Sequence, residues 1–120
     1  MMVHLSPSCQ YYLYTDSTDM RKGFDSLSGL VTMQLRMSAL SGAVFIFFNK
    51  KRNQVKLLLW EGDGFSMYYK RLEKGTYELP AYSDNKSVCI NSQDLQLILQ
   101  GISLRSVRKR KRYQHAGENC

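Results

Sequence analysis

Five carboxylates are the first residues in this sequence whose types could do chemistry: Asp16, Asp19, Asp25, Glu61 and Asp63. Paired acids can hold a divalent cation for phosphoryl-transfer chemistry, so a metal-dependent nuclease using Asp16, Asp19, Glu61 or Asp63 is one reading. Each pair also has a plainer use. Asp16 and Asp19 lie in a Thr-Asp-Ser-Thr-Asp cluster suited to capping a helix, and Glu61 and Asp63 flank Gly62 in a turn. Cysteine and histidine offer less. Cys9, Cys89 and Cys120 are widely spaced, as are His4 and His115, and no C-x-x-C pair is present. Free thiols and no metal site are expected. The segment Gly62-Asp63-Gly64 is no phosphate-binding loop, because it opens no helix, and no serine has a strand–turn–helix setting. No catalytic residue, metal or cofactor is assigned.

The cations form a clearer pattern. The chain of 120 residues carries a net charge of +7. Six basic residues fall from Arg105 onward against one acid, Glu118, which leaves eleven basic and nine acidic residues in positions 1–104. Such asymmetry suits a polyanionic partner. Arg108, Lys109, Arg110, Lys111 and Arg112 are the main candidates for DNA phosphate contact, with affinity falling as salt rises. Arg21, Lys22, Lys50, Lys51, Arg52, Lys70 and Arg71 are further candidates. None of them encodes base readout. Lys50-Lys51-Arg52 also reads as an ordinary charged turn. Arg21-Lys22 would stand in the first turn of a helix, where cations oppose the dipole and hint at an anion nearby.

The elements that must position these residues follow from composition and periodicity. A hydrophobic fraction of 43% with 22% charged residues is globular. No signal peptide or span-length apolar run is visible, so a soluble, cytoplasmic protein without membrane contact is expected. Tyr11-Tyr12-Leu13-Tyr14 is β-prone. Met20, Phe24, Leu27, Leu30 or Val31, and Leu35 recur at helical steps and predict one long helix. Three strands follow at 43–49, 54–60 and 65–72, joined by two four-residue turns into an antiparallel meander. A short edge strand at 76–79, ended by Pro80, is a further expectation, while 88–90 is too short to assign. Asn91 or Ser92 caps a second, short helix carrying Leu95, Ile98, Leu99 and Ile102, and Gly101 ends it.

Two four-residue turns fix a register in which Asn49 opposes Gln54 and Trp60 opposes Phe65. One sheet face then carries Val44, Ile46, Phe48, Val55, Leu57, Leu59, Tyr68 and Leu72, a core surface for a helix. The other carries Phe45, Phe47, Leu58, Trp60, Phe65, Met67 and Tyr69 among Asn49, Lys56 and Arg71. This second face is expected beneath the second helix or a partner subunit. Trp60, Phe65 and Tyr69 are its candidate partner-binding residues, and self-association through them stays open. The competing reading is a stacking platform for bases. A single bulge would exchange the faces.

Three stretches together resemble a known family: Thr18-Asp19-Met20-Arg21-Lys22-Gly23-Phe24, Gly42-Ala43-Val44-Phe45-Ile46-Phe47, and Lys56-Leu57-Leu58-Leu59-Trp60-Glu61-Gly62-Asp63-Gly64-Phe65 with Tyr68-Tyr69-Lys70-Arg71-Leu72-Glu73-Lys74-Gly75. The chain is similar from 11 to 104 to the TnpB-type accessory protein of the insertion-sequence-sixty-six transposon family, the product of its second open reading frame. That protein is distinct from the RNA-guided nuclease sharing the TnpB name. The segment 56–75 is the specific part. Positions 49–53 lack the Gly and Arg pattern common at that hairpin, and the tail is unusually lysine-rich.

The resemblance implies a bacterial mobile element and a role in DNA recombination beside a separate transposase that carries the chemistry. It brings no catalytic residue. The expected protein is a single α+β domain over 1–104, an antiparallel β-meander of three to five strands with one long helix packed on it and a short second helix. A flexible, disordered basic tail over 105–120 completes it. Its expected role is non-catalytic assistance of transposition through DNA phosphates and the transposase of the same element. The alternative is a protein-interaction module working through the aromatic face without touching DNA.

Overall fold

The computed structural model describes residues 5–80 and 84–101. Five strands form one mixed sheet in the order β4-β3-β2-β1-β5. They are β1 (Tyr11–Tyr14), β2 (Val44–Phe48), β3 (Gln54–Trp60), β4 (Phe65–Arg71) and β5 (Ser87–Ile90). The expected meander is present as β2, β3 and β4, with Phe48 opposite Val55 and Trp60 opposite Phe65. Asn49 N–H donates to the Gln54 carbonyl at 3.2 Å, which closes the register that the two turns predict.

The sheet is not an antiparallel meander throughout. β1 pairs parallel to β2, and β5 pairs antiparallel to β1 on its other side. A parallel pair needs a crossover, and the chain from 15 to 43 supplies it with α1 (Phe24–Leu30), continued by a five-residue π-helical segment, Val31–Leu35. The expected long helix is therefore twelve residues whose second half is wound more loosely. It starts at Phe24 rather than near Met20. It ends where Arg36 takes the left-handed conformation (φ 56°) and its N–H bonds back to the Val31 carbonyl.

Leu27, Val31 and Leu35 at four-residue steps form the buried stripe of this helix. They pack with Tyr14, Ala39, Ala43, Phe45, Phe47 and Leu58. The helix thus covers the aromatic face, not the face carrying Val44 and Ile46. Phe24, expected on the buried stripe, is 46% exposed because it stands in the first turn beyond the sheet's cover.

The opposite face is closed by α2 (Ser92–Leu99) and by the segment after β4. Leu95 and Ile98 pack there with Tyr11, Leu13, Val44, Ile46, Phe48, Val55, Leu57 and Ile90. The Asn91 side chain accepts from Asp94 N–H at 2.7 Å and caps α2, as the sequence predicts, and Gly101 follows at φ 81°. Residues 76–79 form no strand. Instead Tyr77 N–H donates to the Arg52 carbonyl at 2.7 Å, and its ring meets Phe48 edge-on at 5.4 Å. Burial of this ring pushes the Tyr77 phenol up to about 12.

All of β2 is buried because it lies inside a sheet covered on both sides, so its sequence reads as a continuous apolar run. Cys9 is a half-buried free thiol. No helix among the described residues is long and apolar enough to cross a membrane.

Candidate nucleic-acid interface

Parallel pairing of β1 and β2 makes both strands run out at the same end of the sheet. The loop after β1 and the hairpin after β2 therefore meet there. Thr18 N–H donates to the Phe48 carbonyl at 2.8 Å, which fastens the two segments together. An open cleft of about 620 Å³ lies between them, lined by Thr18, Asp19, Arg21, Lys50, Lys51 and Tyr69 among others. Two basic segments some thirty residues apart in sequence become one surface.

The loop is held by Lys56, a cation in the apolar run of β3 that sequence reasoning places on the aromatic face without a role. It is only 7% exposed, and no carboxylate among the described residues pairs with it. Its Nζ donates to the Met20 and Lys22 carbonyls, each at 2.8 Å, and lies 4.7 Å from the centre of the Tyr69 ring. An ammonium has three donors, and two carbonyls and an aromatic face engage it. The signal was visible: an inward-facing lysine between Val55 and Leu57 must be paid for by local acceptors.

The sequence predicts Arg21 and Lys22 on a helix; they lie instead in this loop, where Gly23 caps α1. The Asp19 carboxylate accepts from Arg21 N–H at 2.9 Å and from its guanidinium at 2.7–3.1 Å. These bonds from Arg21 hold the Asp19 carboxyl at about 2. The hairpin tip is equally well tied. Asn49 Oδ1 accepts from the N–H groups of Asn53 and Gln54 at 3.0 and 2.9 Å, and its Nδ2 donates to Asn53 Oδ1 at 2.7 Å. Arg52 adopts φ 58°, completing a tight tip from which Lys50 and Lys51 stand exposed.

The remaining candidates separate. Lys70 pairs with Val55 and lines a different groove, of about 490 Å³, with Tyr68, Leu72 and Leu99. Arg71 lies opposite Gln54 near the cleft and forms an exposed ion pair with Glu73 at 3.6 Å, a contact of little energetic weight. Arg52 shares the tip without lining the cleft. Arg108, Lys109, Arg110, Lys111 and Arg112 lie outside the described residues.

The aromatic candidates also part company. Trp60 and Phe65 stack edge-on at 5.0 Å beside the acidic turn, half-buried. Tyr69 stands four residues along β4, about 13 Å away at strand rise, in the basic cleft. The face is no continuous platform, since α1 covers its centre at Phe45, Phe47 and Leu58.

The proposed metal-binding carboxylates are divided likewise. Asp16 pairs with Lys86 at 2.7 Å and Asp19 with Arg21, whereas Glu61 and Asp63 occupy the turn at the far end of the meander. Among the described residues no three His, Cys, Asp or Glu side chains form a group able to hold a metal ion.

A single mixed sheet, helices on both faces and a tied basic cleft at one end define an α+β protein with a cationic surface. By sequence the chain belongs to the family described as IS66 Orf2 like protein, whose model matches residues 9–109. It is 29% identical over 104 residues to the uncharacterized protein y4hO of Sinorhizobium fredii, covering 87% of this chain and 90% of that one. It is 24% identical over 109 residues to y4jC of the same organism, also uncharacterized, covering 91% and 92%. No solved structure matches the chain.

Proposed function

We propose that this protein is a non-catalytic accessory protein of DNA transposition that contacts DNA phosphates and the transposase of its element. Membership of the IS66 Orf2-like family supports the transposition role. The observation that carries the DNA reading is the meeting of the Arg21–Lys22 loop with the Lys50–Lys51 tip at one end of the sheet. Phosphate contact needs cations presented on a defined surface and no base-reading side chains. The Arg108–Arg112 run adds charge in the same chain.

The test is a fluorescence titration of the full chain with labelled DNA carrying the element's ends, across a series of salt concentrations. Affinity falling steeply with salt, and a shallower slope on Lys50→Gln with Lys51→Gln, is the expected result. Unchanged affinity and slope in that variant would remove the cleft from the reading. Transposase binding is tested by capturing the purified transposase on immobilised wild-type protein, where Trp60→Ala with Phe65→Ala should reduce retention.

A further inference from the structure

Tyr69 is a peculiar surface tyrosine. Lys56 Nζ approaches its ring at 4.7 Å, and its hydroxyl donates to Gln54 Oε1 on the neighbouring strand. The ring is thus fixed in place, yet the residue is 52% exposed and lines the basic cleft. Lys50, Lys51 and Arg21 line the same cleft against one carboxylate, Asp19, which Arg21 already engages. Thr18 lines it too. The residue is only 5% exposed, and its buried hydroxyl has no hydrogen-bond partner among the described residues.

A held, half-exposed aromatic ring beside ammonium groups that no carboxylate among the described residues engages is the chemistry that recognises an unpaired nucleotide. A base stacks on the ring and the flanking phosphates meet the cations. A duplex keeps its base faces within its own stack and gains nothing from such a ring. We infer that this cleft binds single-stranded DNA, with a base on Tyr69, flanking phosphates on Lys50 and Lys51, and the Thr18 hydroxyl as a donor to a phosphate oxygen. The inference rests on the DNA reading above and adds to it the strandedness of the ligand.

The experiment uses the full chain and fluorescence anisotropy with a labelled oligothymidylate of about 16 nucleotides, near the upper site size for one single-strand groove, and a duplex of equal length. The single strand is expected to bind at least tenfold tighter. Tyr69→Ala should weaken it by about 5- to 150-fold, the range for removing one stacked base, and leave duplex affinity unchanged. Tyr69→Phe keeps the ring and should bind like the wild type, which separates stacking from any failure to fold. Thr18→Val should weaken the single strand while leaving a protein at least as heat-stable.

Equal affinity for the two DNAs, or a folded Tyr69→Ala that holds the single strand normally, overturns the inference. If Lys50→Gln with Lys51→Gln still weakens duplex binding in that case, the phosphate reading survives alone. Absence of binding to either DNA would defeat both.

Discussion

The two turns of the β2–β4 meander are built from similar material and end up unlike. Each is a four-residue charged connection between apolar strands. The turn 50–53 is cationic, and the loop after β1 lies against it, fastened through Thr18 and Lys56. The turn 61–64 is acidic, closed by Glu61 N–H to the Gly64 carbonyl at 2.9 Å, with Gly62 at φ 96°. A charged turn becomes a candidate site when a second segment converges on it and fixed contacts hold both. Parallel pairing of β1 with β2 decides which turn has that company.

The largest expected effect tests the anchor. Lys56→Met removes the ammonium from two carbonyls, and hydrogen bonds to charged groups contribute about 1.5–3 kcal/mol each. Relief of the buried charge offsets part of that, so a drop of about 2–3 kcal/mol in urea unfolding is expected. A change under about 0.5 kcal/mol, the size usual for surface positions, would mean that the loop holds itself. Next comes the tip. Asn49→Ala deletes the side chain that binds Asn53 and Gln54 and should cost about 1–2 kcal/mol. By contrast, Glu61→Gln with Asp63→Asn should stay within about 0.5 kcal/mol, because nothing but the turn itself depends on them. A large destabilisation there would erase the distinction between the two turns.

The smallest effect is electrostatic. Asp19 titrates at about 2 against an ordinary 3.8 because Arg21 hydrogen-bonds its charged form. Its folded value is depressed, so whatever stability it adds is present above 3.8 and disappears as pH falls towards 2. An NMR titration should place the Asp19 carboxyl near 2, and Arg21→Ala should return it towards 3.8. An unchanged midpoint in Arg21→Ala would show that the Arg21 side chain does not set it.

Local features are readable in the sequence, and their assembly less so. Turn length and alternation suffice for the hairpin register, since a two-residue period permits few alternatives. The Asn91 cap and Leu95/Ile98 stripe locate α2. Non-local choices are hidden. Nothing in Tyr11-Tyr12-Leu13-Tyr14 tells that this strand lies parallel to β2, because parallel pairing is set by what the crossover packs on. Sequence reasoning therefore offers the aromatic face to the second helix or a partner subunit, whereas α1 covers it. It also misplaces the helix start, because Met20 fits the helical period, while the bonds from Lys56 to the Met20 and Lys22 carbonyls pull that stretch out of the helix. The cleft cannot be read off at all, since its halves meet only in the folded sheet. Lys56 is the one legible clue, a cation at an inward position.

The central claim is that the cleft between the loop and the first hairpin contacts DNA. Its most direct test is the salt dependence of DNA binding by the full chain, compared between Lys50→Gln with Lys51→Gln and Glu61→Gln with Asp63→Asn. The account predicts that the first pair weakens binding and flattens the log–log salt slope by about 2, roughly one unit for each lysine replaced. It predicts that the second pair leaves the slope unchanged. Equal slopes for the wild type and the lysine variant would contradict it.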